Sequence, residues 1–122
     1  MSKRARLDLW ASHQADHLLI QGIMTRKEDP IKAAQLFGSS VGICGRIRRA
    51  TRIRDEALKS LDFQSTEQLN AFLDGMTNGR NAGIKEMKEQ GYNGRDFRRV
   101  GWLLKSYDRD AILHELGIKK YS

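Results

Sequence analysis

The stretch IKAAQLFGSSVGICGRIRRATRIR, Ile31 to Arg54, decides how this chain is read. It sets Gly38 and two serines between an Ala-containing apolar segment and a run of arginines: Arg46, Arg48, Arg49, Arg52 and Arg54. No carboxylate falls between Pro30 and Asp55. Just upstream, Asp29-Pro30 predicts a helix start. Asp accepts from the open amides of a first turn, and Pro at the first helical position gives up no needed donor. Gly38 fits the left-handed residue that closes a helix, and Ser39 or Ser40 fits the cap of the next one. The expectation is a short helix from Pro30 to Phe37, a turn, and a cationic helix from Ser40 to about Leu58. On that second helix Arg46, Arg49 and Arg52 share one side, and Ile43, Ile47 and Ala50 share the other. Arg48 flanks the row. Ile53 falls on the arginine side and Arg54 on the apolar side, so the division is imperfect.

Outward from this stretch, helical periodicity dominates and strand-like alternation is nearly absent. Arg6 to Met24 carries Leu7, Ala11, Ala15, Leu18, Leu19 and Ile23 at a 3-4 spacing, with Trp10 at the edge of the stripe. Ser65-Thr66-Glu67-Gln68 matches a capping box. It opens a helix with Leu69, Phe72, Leu73, Met76, Ile84 and Met87 as its apolar positions. Gly75, Gly79 and Gly83 recur every fourth residue of that helix. Either packing offsets their cost of about 1 kcal/mol each, or the helix breaks near Asn78-Gly79. Gln90 to Gly94 reads as a turn. Arg95 to Lys105 is a further basic segment, and Asp108 caps a last helix, Arg109 to Leu116, closed by Gly117. The expected class is all-α, a bundle of about five helices. Its halves are 1–62 and 63–122, with a seam at Asp62 to Gln64, or one single domain.

The bulk composition bounds the function. The chain has 122 residues, 39% hydrophobic and 30% charged, which is one domain's worth of ordinary globular sequence. No apolar run approaches a membrane span, and Asp8, His13, Asp16 and His17 interrupt the N-terminal stretch where a signal peptide needs apolar residues. The expected location is the cytoplasm. A single cysteine, Cys44, excludes an internal disulfide and a cysteine-clustered zinc site. His13 and His17 stand i, i+4 without a third ligand at a convincing spacing, so no metal and no cofactor are expected. The net charge of +7, 22 basic against 15 acidic residues, suits a polyanionic partner.

Over residues 30–50 the chain resembles the helix-turn-helix of DNA-binding proteins. Ala33-Ala34 corresponds to the small residue of the first helix, Phe37 to the buried residue before the turn, and Gly38 to the turn itself. Ser40 corresponds to the cap, and Cys44 and Ile47 to inward positions. In such a motif the second helix keeps one face for the major groove. The resemblance implies that Ser40, Val41, Arg46 and Arg49 face DNA. Gly42 and Gly45 inside the second helix depart from the pattern, and so does Ser39 where an aliphatic residue is common. A reading that keeps the charge without the motif lets a phosphate backbone approach closely at Gly42 and Gly45.

Arginine guanidinium donates bidentate, charge-assisted bonds to phosphate. The expected binding set is therefore Ser40, Val41, Arg46, Arg48, Arg49, Arg52 and Arg54. A secondary basic patch, Arg95, Arg98, Arg99 and Lys105, lies beside Tyr92, Phe97 and Trp102, a mixture that suits RNA by stacking. Lys3, Arg4 and Arg6 form a basic N-terminal arm. No catalytic constellation is legible: Cys44 has no nearby His, and Asp110 and His114 lack a nucleophile or metal partner. The expected function is nucleic-acid binding, with duplex DNA as ligand, by a regulator or accessory factor. The rivals are a small adaptor or inhibitor docking an acidic protein, as in viral or mobile-element systems, and an RNA- or ribosome-associated factor. A homodimer fits the DNA-binding reading, because a single short motif lacks enough contacts for tight specific binding, and the Gly75/Gly79/Gly83 face is its candidate surface.

Overall fold

A computed structural model describes residues 2–44, 61–93, 95, 113–114 and 117–118. Among these the fold is all-helical, with three helices: α1 Lys3–Thr25, α2 Pro30–Cys44 and α3 Thr66–Glu89. The expected count of about five is not reached there. Most of the expected Ser40 to Leu58 and Arg109 to Leu116 helices, and of the basic segment Arg95 to Lys105, falls outside the described residues.

Local chemistry explains the helix ends. The Ala5 amide donates to Ser2 Oγ at 3.1 Å and caps α1. The Lys32 amide donates to Asp29 Oδ1 at 3.0 Å, the cap expected before Pro30. The Gln68 amide donates to Ser65 Oγ at 3.1 Å and opens α3. The reciprocal half of that box lands one residue early, since Gln68 Oε1 accepts from the Gln64 amide at 2.6 Å. At the far end Gly91 adopts φ +88°. Its amide donates to the Lys88 carbonyl at 3.1 Å and the Tyr92 amide to the Met87 carbonyl at 2.9 Å, the paired closure that a left-handed glycine permits. Gly117, at φ +69°, repeats this closure on His114 and Leu113.

The turn expected at Gly38 is absent: residues 30–44 are one continuous helix. The cause is α3. A methyl group on Gly38 would overlap the Phe72 carbonyl oxygen, and one on Gly42 would overlap that of Met76. Reciprocally, a methyl on Gly75 would strike the Gln35 carbonyl oxygen, and one on Gly79 that of Ser39. Four glycines thus let two backbones touch, two from each helix. The matched pairs Gln35–Gly75 and Ser39–Gly79 advance together along the chain, so α2 and α3 run parallel. The glycines of α3 neither break it nor remain exposed. Gly75 and Gly79 face α2, and Gly83 is buried, so the surface expected for a homodimer lies inside the protomer.

α1 folds back antiparallel on α2. Gly22 sits under the Phe37 ring, where a Cβ would meet Cε1 at 2.7 Å. The buried Ser40 hydroxyl donates to the Ala15 carbonyl at 2.7 Å. The α1 stripe is buried at Leu7, Ala11, Ala15 and Leu19, with Gly22 as its last member. Ile23, expected inward, is 48% exposed. The main core joins Leu19, Ala33, Ala34, Phe37, Val41, Leu61, Phe63, Leu69, Phe72, Leu73 and Met76 with Leu113 and Ile118, and so takes residues from both sides of Asp62. Phe63 and Phe72 contact with ring centroids 5.3 Å apart, tilted by 57°. A second cluster, Leu7, Ala11, Ile43 and Met87, closes the other end of the bundle.

Candidate nucleic-acid interface

This topology gathers three helix termini at one pole. The start of α1 and the ends of α2 and α3 meet over Leu7, Ala11, Ile43 and Met87, with Trp10, Leu18, Ile84 and Tyr92 packed around them. Lys3 spans the junction. Its Nζ donates to the Gly91 carbonyl at 3.3 Å and lies 5.2 Å from the centre of the Tyr92 ring. Lys3, Arg4 and Arg6 on α1, Lys85 and Lys88 on α3, and Arg95 beyond the turn are all exposed. Arg95 is held by its amide, which donates to Asn93 Oδ1 at 3.0 Å. The carboxylates along these segments are Asp8, Glu86 and Glu89, so cations outnumber them. Arg4 Nε lies 3.3 Å from Asp8 Oδ1, an ion pair half open to solvent and worth little.

The carbonyl ends of α2 and α3 carry partial negative charge, which stabilises a nearby cation by about 0.3–1 kcal/mol, while the amide end of α1 under Lys3, Arg4 and Arg6 carries the opposite sign. The apolar layer beneath supports the stems of the long side chains. The six basic groups outnumber the three carboxylates, and all six are exposed.

The expected binding residues separate on inspection. Ser40 is fully buried and Val41 nearly so, which corrects their assignment as base-contacting residues: both point into the protomer, toward α1 and the main core. Gly42 cannot admit a phosphate backbone, because the Met76 carbonyl already occupies that approach. Arg46, Arg48, Arg49, Arg52 and Arg54 lie outside the described residues, as do Arg98, Arg99 and Lys105. In the chain, the arginine run follows α2 directly, and α2 ends at this pole. The basic N-terminal arm is helical rather than extended, since Lys3 already belongs to α1. Lys85 and Lys88 are not among the binding residues expected from sequence. Their place beside Lys3 depends on helix direction, for which the sequence carries no local signal.

Elsewhere, His13 and His17 are both exposed on α1. Among the described residues no group of three or more His, Cys, Asp or Glu could hold a metal ion, and no helix is long and apolar enough to cross a membrane. A small recess between Arg26, Pro30, Phe37, Leu61, Phe63 and Gln68 has room for about one water-sized body, some 30 Å³. No protein-family model matches this chain, and neither a curated protein nor a solved structure matches it.

Proposed function

We propose that this protein binds nucleic acid through its basic pole, with duplex DNA as the ligand, as a regulator or accessory factor without catalytic activity. One observation carries the reading: α1 and α3 bring Lys3, Arg4, Arg6, Lys85, Lys88 and Arg95 to the end of the bundle from which the chain runs into its arginine segment. A net charge of +7 supports it. Such a cluster neutralises phosphates and positions the protein on a duplex, while sequence is read by whatever groups reach base edges.

A salt series tests this. Duplex affinity falls with salt by about 0.9 log units per log unit for each phosphate contact. Replacing Arg46 and Arg49 by Ala flattens that slope by about 2, and replacing Lys3, Arg4 and Arg6 flattens it further. Duplex affinity undetectable at low salt overturns the reading. Preferential binding to hairpin RNA, or to an acidic protein alone, replaces it.

A further inference from the structure

The dipeptide Asn-Gly occurs twice in this chain, at Asn78-Gly79 and Asn93-Gly94. It is prone to rearrange without help, because asparagine is thermally labile and glycine puts no side chain in the way of its backbone nitrogen. Both asparagines are exposed, so solvent reaches both side chains. Their backbones differ. Asn78 lies within α3, and Gly79 is buried with its backbone seated against the Ser39 carbonyl of α2. Ring closure there requires the helix to open at its tightest contact. Asn93 lies past the end of α3, beyond the left-handed Gly91. Its side chain carries a further feature: the Arg95 amide donates to Asn93 Oδ1 at 3.0 Å. A donor on that oxygen withdraws electron density from Cγ. It also sits where negative charge gathers when a nucleophile adds to Cγ, at the distance that suits an oxyanion donor.

We infer that Asn93 is a site of spontaneous modification, at which deamidation through a cyclic imide places a carboxylate on the basic pole. The Gly94 nitrogen, having given its proton to hydroxide, attacks Cγ of Asn93. A C–N bond forms, the Cγ–Nδ2 bond breaks, and Nδ2 leaves as ammonia after taking a proton from water. Water then opens the succinimide at either carbonyl, giving aspartate or isoaspartate. Water is the only co-reactant, and nothing is oxidised or reduced. The product exchanges a neutral amide for an anion on the pole that carries Lys3, Lys85, Lys88 and Arg95. The balance there moves from six cations against three carboxylates to six against four. The pole therefore loses charge as the protein ages, and its hold on phosphates weakens. That consequence rests on the proposed function; the modification does not, and it is measured without nucleic acid.

The full chain is incubated in warm, mildly alkaline buffer beside a peptide of residues 90–97, and conversion is located by peptide mapping with mass spectrometry. Asn93 converts within about tenfold of the peptide's rate, whereas Asn78 lags Asn93 by more than about tenfold because it waits for α3 to open. Raising the pH speeds Asn93 in proportion to hydroxide, and Asn93→Gln abolishes the acidic product at this position. Conversion of Asn93 more than about tenfold slower than in the peptide overturns the inference, as does Asn78 converting as fast as Asn93. Separated by ion exchange, the converted form binds a DNA duplex about two- to fivefold more weakly at low salt than the fresh chain. Equal affinities of the two forms overturn the weakening of the pole. Absence of duplex affinity in both overturns the proposed function, with the mapped modification unaffected.

Discussion

Ser40 carries the local signal of a helix cap, yet it lies inside α2 with its side chain buried against α1. A serine after a glycine carries the same local signal whether it opens a helix or lies inside one. What decides is the partner across space, here the Ala15 carbonyl of α1 at 2.7 Å, and that partner lies 25 positions away in the chain. The two roles predict different outcomes for one substitution. Ser40→Ala removes a buried hydroxyl bond and lowers stability by about 1 kcal/mol, read from the urea midpoint at constant slope. It leaves the salt dependence of duplex binding unchanged, whereas a residue facing DNA would alter affinity first. The Asp29, Ser65, Gly91 and Gly117 signals were legible because each is satisfied within its own turn, by bonds spanning a few residues.

At the scale of elements, the parallel pair of α2 and α3 governs what could be read. Helix propensity counts each interior glycine as a loss of about 1 kcal/mol, and by that rule α2 breaks at Gly38. Close backbone contact with α3 outweighs it. The clue in the sequence was a match between two distant repeats, Gly38-x-x-x-Gly42 and Gly75-x-x-x-Gly79, which local reading takes one at a time. Gly75→Ala tests the account. Propensity alone predicts a gain in stability. The collision with the Gln35 carbonyl forces the helices apart at all four glycines, and overpacking of this kind costs about 1–3 kcal/mol or more. A net loss near 2 kcal/mol is expected from these opposing terms. The exposed Asn78 on the same helix provides the contrast: Asn78→Ala gains about 0.5 kcal/mol. Thermal unfolding of the two variants should shift in opposite directions.

For the whole molecule, the helical class and cationic character were visible in periodicity and composition, but the gathering of basic termini at one pole was not. It arises because α1 runs against α2 while α3 runs with it, and helix direction is a property of packing. Charge then acts on two equilibria with opposite sign. Self-repulsion from a net +7 opposes the compact state, so raising salt from about 20 to 150 mM screens it and raises the melting temperature slightly. The same change weakens duplex binding steeply. A melting temperature that falls with salt would show that attractive pairs dominate the protomer's electrostatics. The glycine contact also bears on the order of folding events. Gln35 and Gly75 touch only after the intervening chain, residues 36–74, has been brought round, whereas α1 and α2 adjoin through the short turn of residues 26–29. Closing the longer loop costs more chain entropy before any contact rewards it. The α1–α2 hairpin therefore assembles early and docking of α3 is the slow step, so damage at Gly75 slows refolding as well as accelerating unfolding, read from both arms of a denaturant chevron.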